Sequence, residues 1–458
     1  MRLLRTCLAA IAVCLIFLTA APAAWAFCGF YVSKADAKLY NQASQVVLAR
    51  DGDRTILTMA NDYQGEVKDF AIVVPVPTVL EKEQVRIGEQ KIIERLDEFS
   101  APRLVEYFDA DPCAPVLYED RLRRSANLPA SAPLESSSDQ ALGVTIESKF
   151  LVGEYDILIL SAKESSGLET WLRQNNYRIP DGARELLQPY IRQGLKFFVA
   201  KVNLEQFQRS DFQFLRPIMI AYESPRFMLP IRLGMANANQ AQDLLVYVLS
   251  PKGQAELTNY RLVKIPSNSE IPVYIKNKFG DFYKAMFSTA YQREGRKVAF
   301  LEYAWDMASC DPCSANPLTP QELRQAGVFW LDDPGSNTMP IMPPMPRGRI
   351  RPMPTRRSVF MTRIHVRYSR DRFPADLIFQ ETGNRQFFQG RYVLRHAFTG
   401  EANCDAGREY RRSLPARFER EAQTLASLTG WDINQIRREA NVPNLPASDV
   451  PFWQRIWR

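Results

Sequence analysis

The sequence predicts a strand-rich α+β fold with largely antiparallel sheets and flanking helices, followed by a basic C-terminal region after a proline-rich connector. Short strand-like segments are mixed with helical ones and lack the regular strand–helix–strand alternation of parallel α/β proteins. In addition, 46% of the residues are hydrophobic and 24% are charged, which is typical of a folded globular chain. Each predicted element follows from its local pattern.

The first predicted elements form a hairpin. Residues 45–50 and 54–61 have the composition of strands, and the Asp-Gly sequence at 51–53 supplies the positive φ of a tight turn. Residues 70–77 follow as a buried strand, whose prolines place its end at a sheet edge or a bulge. Residues 91–108 carry hydrophobic side chains at helical spacing, so we expect a helix there with a break near Pro102.

Strands and helices remain mixed up to the connector. Residues 125–140 are polar and contain several prolines, which predicts a surface loop. Two strands are expected within 144–161, on either side of Gly153. The remaining predicted elements are helices at 168–175, 183–193 and 281–292, and strands at 195–204, 215–221, 227–233, 244–249, 260–263 and 297–305.

Residues 339–357 are the clearest boundary in the chain. They are rich in Pro, Met and Arg and show no periodicity, which indicates an extended connector. Strands at 363–368 and 391–398 and helices at 417–428 and 433–440 are predicted after it. The predicted organisation is a signal peptide at 1–26, a main α+β domain at 27–338, the connector at 339–357 and an arginine-rich C-terminal region at 358–458.

The N-terminus carries an export signal. Arg2 and Arg5 precede an apolar run over residues 8–20, and the small residues that follow predict cleavage after Ala26. The run is shorter than the roughly 20 apolar residues that span a bilayer, and no later segment is long and apolar enough. We therefore expect an exported protein, periplasmic or secreted, with no transmembrane segment in the mature chain.

The net charge of +7 is unevenly distributed. Residues 341–458 contain 21 Arg, no Lys and 11 acidic residues, a local charge of +10, so the preceding residues sum to −3. This asymmetry predicts contact with an unknown envelope protein or an anionic surface. The alternative is that the arginines pair internally with the acidic main domain. Nucleic acid is not an expected partner, because the protein is exported and lacks a base-stacking motif.

Several segments resemble one known family. The run from Cys28 to Asn41, residues 45–48 and 70–77, Leu215-Arg216-Pro217, residues 227–251 and the Cys310-Asp311-Pro312-Cys313 element are similar to an exported bacterial family catalogued as domain of unknown function 2330. The resemblance extends to about residue 400. It implies an envelope location and one shared architecture, but no activity, ligand or catalytic residue.

Five cysteines remain after removal of the signal peptide. In an oxidising compartment they predict two disulfides and one free thiol, and the sequence leaves the pairing open. The disulfide candidates are Cys28, Cys113, Cys310, Cys313 and Cys404.

Cys310 and Cys313 support an alternative function, that of an envelope thiol–disulfide oxidoreductase. This chemistry requires a thiol at a helix N-terminus, where the macrodipole lowers the thiol pKa. Residues 314–317 delay the next predicted helix to about Thr319, which favours structural disulfides. The Asp-Pro-Cys sequence also recurs at 111–113, as expected of two matching turns in a disulfide framework.

Other catalytic chemistry has less support. Glu106 and Asp109 are the candidate acid and base of a carboxylate-based hydrolase, the second alternative function, although carboxylates at a predicted helix end are usually solvated. His365 and His396 lie in separate predicted strands and would bind a metal only if those strands were neighbours. No nucleotide-binding, zinc-protease or serine-hydrolase motif occurs. The sequence therefore predicts no catalytic residue, metal or cofactor.

The leading hypothesis is a non-enzymatic exported envelope protein that binds a partner or the envelope surface through its basic C-terminal region. The surface-binding candidates are Arg347, Arg349, Arg351, Trp453, Arg455 and Trp457. The last three lie in a C-terminal segment that combines aromatic residues and arginines, a pattern typical of membrane-interface contact. Docking of the aromatic residues onto the protein body is the alternative.

Overall fold

The computed structural model describes residues 30–33, 40–41, 44–60, 63–64, 70–114, 145–162, 165–174, 183–203, 207, 215–236, 241–309, 316–332 and 358–441. Within these ranges the predicted α+β class is confirmed, because the sheets are largely antiparallel and helices pack against them. The signal peptide, the loop at 125–140 and the connector at 339–357 lie outside the described residues.

The described residues form 22 strands and seven α-helices. The strands are β1 (Phe30–Ser33), β2 (Tyr40–Asn41), β3 (Ser44–Asp51), β4 (Arg54–Ala60), β5 (Tyr63–Gln64), β6 (Phe70–Val76), β7 (Val85–Ile87), β8 (Arg103–Phe108), β9 (Thr145–Val152), β10 (Tyr155–Ser161), β11 (Lys196–Val202), β12 (Ile218–Glu223), β13 (Met228–Leu229), β14 (Gln242–Ser250), β15 (Ala255–Leu257), β16 (Arg261–Lys264), β17 (Ser269–Glu270), β18 (Val298–Asp306), β19 (Phe360–Tyr368), β20 (Leu377–Glu381), β21 (Phe388–Gln389) and β22 (Arg391–His396). The helices are α1 (Gln90–Ser100), α2 (Ser165–Gln174), α3 (Ala183–Arg192), α4 (Phe279–Arg293), α5 (Pro320–Gln325), α6 (Asp405–Thr429) and α7 (Ile433–Glu439).

Two large sheets form the centre of the fold. The five-stranded sheet has the order β1-β6-β11-β10-β9 and is antiparallel throughout. The nine-stranded sheet has the order β16-β18-β19-β14-β3-β4-β12-β7, with β21 on β18, and only its β14–β3 and β16–β18 pairs are parallel. Smaller sheets have the orders β13-β20-β15, β17-β22-β8 and β2-β5.

The two large sheets pack face to face, and helices cover their outer faces. Val46 and Leu48 of β3 share one hydrophobic core with Ile72 and Val74 of β6. The alternate β3 residues belong to a second core with α1, as expected from the two-residue side-chain period of a strand. On the other side of the molecule, α2 and α3 pack against the five-stranded sheet. The layers are therefore helix, sheet, sheet, helix.

The predicted hairpin is confirmed. Asp51 pairs with Arg54 across a tight turn, and Gly52 takes a φ of 59°, which an L side chain adopts only with strain. The predicted strands around Gly153 are also present, as β9 and β10.

Two predicted elements were wrong. Residues 103–108 form β8 rather than the end of a helix, because Pro102 follows the last turn of α1 and Arg103 N donates to the carbonyl of Gly390 instead. β8 then pairs in parallel with β22, which lies far away in sequence. Residues 227–233 contain only the two-residue β13, and a 3-10 turn begins at Arg232.

Strands from both sides of the 339–357 connector share the nine-stranded sheet. β19 lies between β14 and β18 and is antiparallel to both. The boundary predicted from composition thus separates two stretches of sequence that fold together. Among the described residues, no helix is both long and apolar enough to cross a membrane.

Candidate functional site

A buried ion-pair network lies on the helix-covered face of β14, β18 and β19. Its centre is Glu302, which is fully buried and sits at a register shift in β18 between Leu301 and Tyr303. The shift makes Glu302 the extra residue of a β-bulge, a feature that redirects a side chain. Glu302 accepts hydrogen bonds from Arg363 Nε at 2.6 Å and from Tyr283, and its Oε1 lies 2.7 Å from His365 Nδ1.

Strand alternation places the cations of the network on one face of β19, because residues 363, 365 and 367 are two apart. Arg367 is directly opposite Asp243 of β14 and binds both of its carboxylate oxygens at 2.8 Å. His365 Nε2 lies 3.2 Å from the same carboxylate. At the other end, Arg363 donates to Asp97 of α1 at 2.7 Å.

The network contains three carboxylates and three cations when His365 is protonated. Burial alone would lower the pKa of His365, but the charges of Glu302 and Asp243 and their hydrogen bonds raise it to about 9. Burial alone would raise the pKa of Glu302, but His365 and Arg363 lower it to about 2. At neutral pH Glu302 is therefore ionised and His365 is protonated, so each buried charge faces an opposite one, as a buried ionic group requires.

Arg367 also forms one wall of a surface pocket of about 350 Å³. Its Nη1 donates to Ser288 of α4 at 3.1 Å, and its guanidinium lies 4.8 Å from the Phe287 ring centre. The polar side chains that line the pocket are Ser288, Gln292, Arg296, Arg367, Ser369, Asp371 and Arg372, together with Tyr291. We call this site the arginine pocket.

Arg296 reaches the pocket because of the way α4 ends. Gly295 N donates to Gln292 O at 3.0 Å and Arg296 N donates to Tyr291 O at 2.9 Å, the pair of hydrogen bonds that defines a Schellman motif. The glycine takes a φ of 72°, as this motif requires. Arg296 also has a positive φ, 61°, which is uncommon for a residue with a side chain and is often found at functional sites.

The pocket has an excess of one positive charge. Asp243 offsets Arg367, and Asp371 lies 2.9 Å from Arg372 Nε. Arg296 has no ion-pair partner among the residues that the structure describes. Guanidinium groups, hydroxyls and an amide around a small concave site are suited to a phosphate or carboxylate group.

Of the predicted disulfide candidates, the structure brings Cys113 and Cys404 together in one bond, with their Cα atoms 5.9 Å apart. Cys28, Cys310 and Cys313 lie outside the described residues. The oxidoreductase alternative at Cys310 and Cys313 therefore stays a prediction.

The carboxylates proposed for a hydrolase are both held by cations. Glu106 lies 2.7 Å from Lys276 Nζ and 2.8 Å from His396 Nε2, and these partners lower its pKa. Burial alone would raise the pKa of Asp109, but hydrogen bonds from Arg417 and Tyr410 lower it. Neither carboxyl group therefore carries the proton that a general acid must donate at neutral pH.

The two histidines lie in different sheets, so they do not form the metal-binding pair that neighbouring strands would have allowed. His365 belongs to the buried network, and His396 contacts Glu106 and stacks on Phe108 at 4.4 Å. The part of the chain that the structure describes contains no cluster of three potential metal ligands.

Arginines of the C-terminal region pair extensively with acidic residues of the main domain. Besides Arg363 and Arg367, these pairs are Arg385 with Asp306, Arg395 with Glu270, and Arg417 with Asp109. The internal pairing that the charge asymmetry suggested as an alternative is thus present. The surface-binding candidates Arg347, Arg349, Arg351, Trp453, Arg455 and Trp457 lie outside the described residues.

Sequence reasoning missed Arg296 and Ser288 as site residues. The one local signal was the Gly-Arg pair at 295–296, shortly after the helix predicted at 281–292, and such a pair marks a helix end but no binding site. Arg367 and Arg372 fell within the region predicted to contact anions, but nothing in their spacing singled them out.

Comparison with known proteins identifies the family of the chain. A family model described as "Uncharacterized protein conserved in bacteria (DUF2330)" matches residues 22–380, which include all the residues of the arginine pocket and end before α6. No curated protein and no solved structure gives a match. The chain therefore belongs to the bacterial family of uncharacterized proteins designated domain of unknown function 2330.

Proposed function

We propose that the protein is a non-enzymatic, exported envelope protein that binds an anionic group of a ligand or partner in the arginine pocket. The observation that carries the proposal is the convergence of Arg296, Arg367 and Arg372 with hydroxyl and amide donors on one concave site. The chemical class it recognises is a phosphate or a carboxylate.

The rigidity of the pocket supports binding. Arg367 is held by both oxygens of Asp243, which is itself bound to the buried His365. Because this guanidinium is already oriented, a ligand loses little affinity in ordering it. The positive φ of Arg296 also supports a binding role for its side chain, because glycine would fit that backbone with less strain.

The export assignment has two supports. The predicted signal peptide at 1–26 would direct the chain out of the cytoplasm, to the periplasm or the medium. The Cys113–Cys404 disulfide fits an oxidising compartment.

Isothermal titration of the mature protein tests anion binding, with glycerol phosphate and succinate as probes. Arg296→Gly removes the uncompensated charge, and Lys297→Ala is the matched control because it removes the neighbouring exposed charge, which does not line the pocket. We expect at least one probe to bind the wild type and the control, with at least tenfold weaker affinity for Arg296→Gly. Equal affinities for the two variants, or no heat with either probe, would overturn the proposal.

Vesicle flotation tests whether a membrane surface is the source of the anion. Wild type, Arg296→Gly and a chain ending at residue 441 are compared on vesicles that contain phosphatidylglycerol. Flotation that depends on Arg296 would place lipid headgroups in the arginine pocket. Flotation that depends only on residues 442–458 would instead assign membrane contact to the segment with Trp453, Arg455 and Trp457.

A further inference from the structure

We propose that the Cys113–Cys404 disulfide is a site of thiol–disulfide exchange, at which an external dithiol attacks Cys113 and Cys404 leaves. The proposal goes beyond anion binding and uses no residue of the arginine pocket. It rests on a difference between the two sulfur environments, because Cys113 belongs to an exposed turn and Cys404 is the N-cap of α6.

Cys113 is the accessible end of the bond. It lies in a turn after β8, in which Ala114 N donates to Asp111 O at 3.1 Å and Cys113 N donates to the Asp111 side chain at 2.8 Å. The residue is exposed, as are Asp111 and Ala114. Of the two bonded residues, Cys113 is therefore the more exposed, because Cys404 is half-buried.

Cys404 is the better leaving group. Its Sγ accepts a hydrogen bond from Gly407 N at 3.2 Å, at the start of the 25-residue helix α6. Backbone N–H groups and the helix macrodipole stabilise a thiolate at this position, and a thiol with a lower pKa leaves faster. Asp405 in the first turn opposes this effect, but it is ion-paired with Arg408.

Contacts other than the disulfide hold α6 in place. Tyr410 and Arg417 both donate to the carboxylate of Asp109, which lies four residues before Cys113. Ala422 and Leu425 are fully buried in the hydrophobic core beneath the helix. Cleavage of the disulfide would therefore leave the two thiols close together and able to form the bond again.

The exchange balances with a dithiol as the co-reactant. Its first thiolate bonds to Sγ of Cys113 as the bond between the two protein sulfurs breaks, and the electron pair leaves on Cys404. The second thiolate of the dithiol then attacks the mixed disulfide and displaces Cys113. The dithiol becomes a disulfide, and two electrons and two protons are transferred to the two cysteines.

The acidity of Cys404 is measured on the reduced, folded wild-type protein. Alkylation by iodoacetamide is followed for each cysteine by peptide mass spectrometry between pH 4 and pH 10. We expect the midpoint for Cys404 to lie at least one pH unit below that for Cys113, and the difference to vanish in urea. Equal midpoints, or a lower midpoint for Cys113, would overturn the proposal.

The direction of attack is measured on the oxidised protein. Native protein is mixed with glutathione at neutral pH, quenched with acid and mapped by mass spectrometry. We expect at least ten times more adduct on Cys113 than on Cys404. Adduct mainly on Cys404, or reaction only after addition of urea, would show a structural disulfide.

Discussion

At the scale of single residues, His365 determines the charge balance of the buried network. Two arginines, one histidine and three carboxylates meet there, so loss of the proton from His365 leaves a buried excess of negative charge. The sequence placed His365 in a strand but gave no ionic partner for it, because its carboxylate neighbours come from β14 and β18. The bulge that turns Glu302 inward has no local sequence signal.

The raised pKa of His365 predicts a dependence of stability on pH. The folded pKa of about 9 lies above the unfolded value of about 6.5, so this stabilisation is complete below pH 6.5 and is lost as the pH rises through 9. The free energy of unfolding should fall by on the order of 3 kcal/mol across this window. Urea denaturation at a series of pH values measures it.

His365→Asn should be less stable than the wild type at pH 6. Its free energy of unfolding should also no longer decline between pH 7 and pH 9. His396→Asn is the control, because His396 is partly exposed and pairs with Glu106. An unchanged decline in His365→Asn would contradict the assignment.

Glu421 also makes stability fall as the pH rises, because its carboxylate is buried. Burial raises its pKa to about 7, although Arg417 opposes this, and Glu270 and Asp109 add to it. Because the folded pKa exceeds the unfolded one, protonation stabilises the fold below about pH 4.5, and this contribution is lost as the pH rises through 7. Glu421→Gln should therefore stabilise the protein at pH 8 by roughly 1–3 kcal/mol.

Glu419→Gln is the matched control. Glu419 lies on the same helix as Glu421, but Arg437 holds the pKa of Glu419 below its usual range. This variant should not be more stable than the wild type at pH 8. Thermal unfolding at pH 8 compares the stability of both variants with that of the wild type. Destabilisation by Glu421→Gln would contradict the account.

At the scale of elements, the sequence predicted the type of a helix or strand better than the residues at which it begins and ends. α6 was predicted from residue 417, after Pro415, but it begins at Asp405 and contains the proline. Its N-terminus is fixed by the disulfide and by Tyr410, contacts that join it to β8. The helical spacing of hydrophobic residues favoured a helix for residues 103–108, and their strand partner β22 lies too far away in the sequence to have corrected this.

The end of α5 offers a test of packing between elements. Gly327 has a φ of 96°, and a Cβ atom there would lie 2.8 Å from Ile56 Cγ2 of β4. Gly327→Ala should lower the free energy of unfolding by about 2–4 kcal/mol, because strain and overpacking add. Gly295→Ala, at a φ of 72° with open space, should cost only about 1–2 kcal/mol. Chemical denaturation compares them, and equal losses would contradict the packing.

The whole molecule depends on contacts between distant parts of the sequence. The α+β class followed from local patterns, but the order β18-β19-β14 and the Cys113–Cys404 bond join residues that no local pattern connects. The arginine pocket also joins distant parts of the sequence, because it lies between α4, Arg296 and the residues at the end of β19. Composition identified the basic region, and the sheet register decided which of its arginines reach the pocket.

The shared sheet predicts that the two halves of the chain stay together after cleavage. A protease site engineered into the 339–357 connector should be cut without loss of the fold, because β19 is paired on both sides. Size-exclusion chromatography with dithiothreitol, which removes the disulfide tie, should still elute both fragments as one species. Separation of the fragments under native conditions would contradict the shared sheet.

Arginine Nε–Hε NMR signals during a titration with phosphate test the central claim most directly. Comparison with Arg296→Gly assigns the signal of Arg296, and Arg411 and Arg412 on the exposed side of α6 serve as internal references. We predict saturable shifts for Arg296, Arg367 and Arg372 and none for the references. Shifts confined to the α6 arginines, or spread evenly over all arginines, would contradict an anion site in the arginine pocket.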